Sequence, residues 1–173
     1  MSEQEQIKMA YQRVQRAIRL RPSVGQGTHV TKVRVRDGMT CEIEDGKWKL
    51  VADEVEGLGG NDKGPNPGTF GRAALGSCLA IGYAMSAAAL GVSLASIEVD
   101  IETDYDARGM FDVDDNVSPG WSGIRYYVRV ESSAGEEAVM RVIEHADKHS
   151  PLLDGFARAL AIQRHVQISP PKE

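Results

Sequence analysis

Apolar and polar positions along the chain change period several times, and each change marks an element. Ile7, Tyr11, Val14 and Ile18 recur at helical spacing, with Arg13, Arg16 and Arg19 away from them, which predicts an amphipathic helix over residues 3–20. Arg21-Pro22 ends it, and residues 23–26 read as a linker. The period then falls to two. Thr31, Val33 and Val35 alternate with Val30, Lys32, Arg34 and Arg36, which predicts a strand over 29–36 with one buried face. Asp37-Gly38 and Asp45-Gly46 are hairpin turn signals, so residues 39–44 and 47–52 complete a three-stranded meander.

A helix follows. Asn66 suits an N-cap, and Pro67 suits the first helical position, where a missing N–H leaves no bond unmade. From Ala73 to Leu90 no residue is charged, which predicts a long helix buried on most sides. The run is long enough to raise the question of a membrane span. Its Ala, Gly and Ser content gains little from lipid, so a core helix is the preferred reading. Ala74, Cys78, Gly82 and Ser86 share one face as a stripe of small residues, which lets another helix or a ligand approach the backbone. Leu75, Leu79, Tyr83 and Met85 supply bulk elsewhere.

Downstream, residues 93–105 alternate as a strand, and 104–120 form a polar loop with five aspartates. Residues 121–132 form a further strand with Ile124, Tyr126, Val128 and Val130 on one face. A helix over 136–149, a Ser150-capped helical turn through Arg158 and a last strand over 163–168 complete the order. Strands joined mostly by hairpins with two principal helices give an α+β domain. The organisation is an N-terminal helical extension and linker, 1–26, and one domain, 27–173.

Charge and composition narrow the function. Residues 1–36 carry eight Lys/Arg and two Glu, while the rest carries twelve Lys/Arg and twenty-three Asp/Glu. An acidic body argues against nucleic acid as a partner. The basic helix reads as a solvated face or as a contact to an acidic surface. The N-terminus lacks the apolar segment of a signal peptide, and Cys41 and Cys78 make no disulfide framework, so a cytoplasmic protein with reduced thiols is expected. The Gly-rich loop 53–65 holds no phosphate-binding pattern, the aspartate loop lacks EF-hand spacing, and His145 and His149 have no H-E-x-x-H context. No cofactor and no metal is expected. Cys41 lies with Met39 and Ile43 on one strand face, which favours packing over catalysis.

Cys78 is read by helix logic alone as a small core residue. The motifs around it add to that reading. Leu58-Gly59-Gly60, then Asn66-Pro67, then Ala73-Ala74-Leu75-Gly76-Ser77-Cys78, then His149-Ser150-Pro151 resemble the OsmC/Ohr family of thiol peroxidases over roughly residues 29–168. The resemblance implies an intertwined homodimer: antiparallel sheets around two long central helices, with two active sites at the subunit interface. It implies that Cys78 is the peroxide-reacting thiol and that Arg36, in Arg36-Asp37-Gly38, is the activating arginine, with Arg34 and Arg72 as rivals. Two departures stand out. Gly68 occupies the position where the family commonly has the glutamate that holds the arginine, and Ser150 occupies that of its second cysteine. Serine forms no disulfide, so an oxidised Cys78 needs an external thiol reductant.

Three functions stay open at this point. One is a one-cysteine thiol peroxidase reducing a small hydrophobic hydroperoxide through Cys78. Another is a non-enzymatic dimer binding a hydrophobic or acyl ligand. The third is an interaction protein working through the N-terminal helix.

Overall fold

A computed structural model of the chain describes residues 1–35 and 38–170. The elements run α1 (Glu3–Leu20), β1 (Lys32–Val35), β2 (Cys41–Asp45), β3 (Trp48–Ala52), α2 (Pro67–Leu90), β4 (Ser96–Tyr105), α3 (Ala107–Met110), β5 (Trp121–Glu131), α4 (Glu136–Lys148) and α5 (Pro151–Ala157). Single 3-10 turns occupy Pro22–Gly25, inside the expected linker, and Glu56–Leu58. Two antiparallel sheets form, β1-β2-β3 and the ribbon β4-β5. This is the expected α+β architecture.

The central element is α2. Asn66 caps it by accepting from the Thr69 N–H at 2.9 Å, with Pro67 at the first helical position. Gly91 ends it at φ 71°, a left-handed conformation that glycine adopts without Cβ strain. Its buried face carries Leu75, Leu79 and Tyr83, which form the core with Ala146 of α4. Ile97, Val99 and Ile101 of β4 and Tyr126 and Val128 of β5 close over this cluster. Each large side chain removed from water here contributes roughly 1.5–3 kcal/mol. Glycine permits the close approach: a Cβ on Gly71 would lie 2.7 Å from the Trp121 ring.

One polar knot ties these layers. Asp147 of α4 accepts from the Tyr83 hydroxyl at 2.8 Å and the Tyr126 hydroxyl at 2.9 Å, linking α2, α4 and β5. Burial, and then the carboxylate beside them, push both phenols above their ordinary ionisation range. The outer face of the ribbon is charged: Arg129 bridges Glu98 and Asp100, and Arg125 bridges Glu102 and Asp104. The alternation read from the sequence thus sorts β4 and β5 into a core face and a solvent face.

The first half of the apolar stripe on α1 docks on α2, with Ile7 and Tyr11 half-buried and Gln4 Nε2 donating to the Val92 carbonyl at 2.7 Å, while Val14 and Ile18 stay exposed. Asp53, 2% exposed, pins the loop that leads into α2 by accepting from Thr40 Oγ1 and the Glu54 N–H, both at 2.8 Å. Burial pushes its carboxyl up, but these bonds and those from the Asn61 and Lys63 backbone outweigh that and hold it below the usual carboxylate range.

Three expectations are corrected. The central helix is not buried on most sides: Ile81 is 61% exposed and Met85 39%, on the part of its surface that its main packing partners, β4, α4, α5 and α1, leave uncovered. By length and composition alone α2 could cross a bilayer. Its packing against those four elements is that of a core helix. Among the described residues β1 spans Lys32–Val35, starting later than residue 29, and is exposed on both faces, with Val33 and Val35 each 57% exposed, because the described part of the meander makes no extensive contact with the helices. Residues 163–168 form no strand. Alternation alone makes no ladder, and among the described residues no strand edge pairs with the segment; Val166 and Ile168 are 70% and 91% exposed.

Candidate active site around Cys78

Cys78 lies near the middle of α2, on the face that meets the junction of α4 and α5. The junction is built by Ser150, which caps α5 by accepting from the Leu153 N–H at 3.3 Å. Ser150 is 5% exposed, and its Oγ stands 3.4 Å from Cys78 Sγ. Beside the pair opens a cavity of about 420 Å³, whose lining includes Tyr11 of α1, Ile81, Met85 and Ser86 of α2, and His145 and His149 of α4. Its walls are mainly apolar, with a few convergent polar groups, the composition of a site for a small organic molecule.

The small-residue stripe explains why the cavity lies here. Ala146 packs at Gly82, where an added Cβ would meet Ala146 Cβ at an ordinary 3.7 Å. One turn on, Ser86 Oγ meets His145 Nδ1 at 2.9 Å. His149 Nδ1 lies 2.6 Å from the His145 carbonyl oxygen. A carbonyl only accepts, so Nδ1 of His149 carries the hydrogen of this contact. The two rings are 4.5 Å apart. Burial first, and then His149 and Lys148, hold His145 below the usual imidazole range, which keeps it neutral at pH 7. Among the described residues, no group of three or more His, Cys, Asp or Glu is placed to hold a metal ion.

The arginine expectations separate in space. Arg36 lies outside the described residues. Arg34 pairs with Glu44 at 3.3 Å across the β1–β2 ladder. Arg72 turns toward β4, donating to Thr103 Oγ1 at 3.4 Å and Thr69 Oγ1 at 3.2 Å, and lines a different cavity of about 550 Å³ between α2 and β4. Gly68 sits next to it, and a Cβ there would lie 3.5 Å from Arg72 Nη1. Among the described residues, no arginine lines the Cys78 cavity.

Cys41 pairs in register with Val35 and Ala52 inside the meander, with Sγ 3.7 Å from the Met39 carbonyl, and is no part of this cavity. Ser86 and Tyr11 are among the cavity residues with no assigned role in the sequence reading. Ser86 was visible only as a member of the stripe, and Tyr11 only as part of a helix face that had to cover something.

No curated protein matches the sequence. Solved structures match the fold. The OsmC-like protein of Mycoplasma pneumoniae superposes with a TM-score of 0.66 at 11% identity, over 76% of this chain and 89% of that one. An organic hydroperoxide resistance protein OsmC of Legionella pneumophila gives 0.54 at 17% identity, over 75% and 89%. An OsmC-like hydroperoxide resistance protein of Jannaschia gives 0.52 at 18% identity, over 80% and 90%. At such identities the likeness is one of fold. The model of the OsmC-like protein family matches residues 60–164, which hold α2, the β4-β5 ribbon, α4 and α5, and the chain therefore belongs to the OsmC-like family.

Proposed function

We propose that this chain is a stress-response member of its family, acting in the cytoplasm, and that Cys78 reduces organic hydroperoxides as a one-cysteine thiol peroxidase. The observation that carries the reading is Cys78 Sγ at 3.4 Å from Ser150 beside an apolar cavity of about 420 Å³. The thiol is held at a place an organic molecule can reach, next to the position that the resemblance gives to the second cysteine. The names of the Legionella and Jannaschia proteins point the same way.

The chemistry is balanced with one thiol. The Cys78 thiolate attacks the terminal oxygen of the hydroperoxide, the O–O bond breaks, and the organic half leaves as an alkoxide that takes a proton to become the alcohol. Cys78 is left as the sulfenic acid. An external thiol condenses with it, releasing water and forming a mixed disulfide, and a second thiol restores Cys78. Within this reading, residues 1–26 are an extension carried on the OsmC-like domain of residues 27–173, and the activating role of Arg36 is retained as a proposal.

The active unit is proposed to be a homodimer. A first strand exposed on both faces, the uncovered Ile81 and Met85 beside the cavity, and an exposed apolar tail are what a second copy would cover. Sedimentation at micromolar concentration is expected to give a dimer; a monomer alone would remove this part of the reading.

The test of the activity is intact mass after mixing reduced protein with one equivalent of an organic hydroperoxide and dimedone. One rapid dimedone adduct on Cys78 is expected. A folded dimer that forms none over many minutes would favour a second reading, a carrier of a hydrophobic or acyl ligand. That reading draws on the adjoining cavity of about 420 Å³ between α1 and Met85, whose wall is almost wholly apolar. An apolar molecule co-purifying with the protein is its expected mark.

A further inference from the structure

The hydroxyl of Ser150 has two jobs available and visibly performs one. Its oxygen accepts from the Leu153 N–H at 3.3 Å, which caps α5. Its hydrogen is then free to point elsewhere, and the sulfur of Cys78 lies within hydrogen-bonding reach of it, at 3.4 Å. Ser150 is 5% exposed, so water does not compete freely for that hydrogen. A thiolate accepts hydrogen bonds and has none to give, so the bond strengthens when Cys78 ionises.

We propose that Ser150 is a positioning residue for Cys78: its hydroxyl donates to Sγ, aims the sulfur at the cavity and favours the thiolate over the thiol. This deepens the peroxidase reading and rests on Cys78 as the reactive thiol. A serine at this position thus has a role of its own. It gives up the capacity to close a disulfide and supplies a fixed donor to the sulfur. The other titratable groups that line the cavity are Tyr11 from α1 and His145 and His149 from α4, and they are unchanged in the variants that follow.

The experiment compares Ser150, Ser150→Ala and Ser150→Thr in a Cys41→Ala background, where Cys78 is the one thiol left. Two rates are read from pH 6 to pH 10: alkylation by iodoacetamide, and oxidation by cumene hydroperoxide. A hydrogen bond to a charged acceptor predicts that Ser150→Ala slows alkylation at pH 7 by about tenfold or more. Ser150→Thr, which keeps the hydroxyl, is expected to restore most of it. At pH 10, where thiols ionise without help, the three rates are expected to converge. Loss of the α5 cap alone would lower the melting temperature of Ser150→Ala and leave the pH profile unmoved.

An alanine variant with the wild-type profile overturns the proposal, even if cumene hydroperoxide still oxidises Cys78. An alkylation profile that depends on Ser150, in a protein inert to cumene hydroperoxide, upholds it and removes the peroxidase reading instead. The two failures are therefore distinguishable.

Discussion

Cys78→Ala is expected to abolish hydroperoxide consumption, while Cys41→Ala is expected to leave it unchanged. The two cysteines differ in surroundings more than in exposure. Cys78 faces a cavity of about 420 Å³ with a hydroxyl 3.4 Å from its sulfur. Cys41 is paired on both sides within the meander, and its sulfur stands 3.7 Å from the Met39 carbonyl. Peroxide reduction needs a thiolate that the oxidant can approach in line, and no other residue in the cavity supplies that electron pair. The alanine variant is a fair test because it should fold. Ala is the best helix former, and losing one sulfur from a half-buried position costs on the order of 1 kcal/mol. Peroxide consumption followed by a colorimetric assay with an added dithiol reads the outcome. Wild-type turnover by Cys78→Ala would place the chemistry elsewhere, and equal losses in both variants would point to a disulfide between the two cysteines.

The start of α2 was legible because its signals are local. Asn66-Pro67 fixes a cap and a first turn whatever surrounds them. The β4-β5 ribbon was legible because a one-sided strand writes its burial into a period of two, and Ile97, Val99 and Ile101 do meet the core. The failures share a different cause. A charge-free helix reads the same whether its faces are covered by its own chain or by something else, so the sequence predicts a helix buried on most sides while Ile81 and Met85 are 61% and 39% exposed. The same holds for Val33 and Val35 in β1, and for Val166 and Ile168 in the tail: apolar alternation states that a partner is needed and is silent on which chain brings it.

At the site, Cys78 and Ser150 were found through motifs 72 positions apart in sequence. That they touch is a property of the packing of α4 on Gly82, which no local pattern records. The part played by Tyr11 was less legible still, because a helical stripe says that α1 covers something without saying that it covers the thiol cavity.

Replacing Ser150 by cysteine should give the chain the disulfide it lacks. Disulfide sulfurs sit about 2.03–2.05 Å apart, and the present Sγ–Oγ separation of 3.4 Å already places the two side chains next to each other across the α2 and α4–α5 junction. The helices are already held in contact by the core around Leu79, Tyr83 and Ala146. In the wild-type chain, one equivalent of hydroperoxide with dimedone is expected to add dimedone at Cys78. In Ser150→Cys the neighbouring thiol should reach the sulfenic acid first, so the adduct disappears and the mass falls by two hydrogens, reversibly with a reductant. The new thiol is a poorer cap for α5 than serine, which costs about 0.5–2 kcal/mol in the reduced form. Closing a loop of this span restrains the unfolded chain by about 2–4 kcal/mol, so the oxidised variant should melt above the reduced one. A Ser150→Cys protein that still traps dimedone and never loses the two hydrogens would mean that the sulfur of Cys78 turns away from Ser150 once oxidised. The hydroxyl could then no longer be the group that holds it, and the external reductant would have to meet a sulfenic acid facing the α1 side of the cavity.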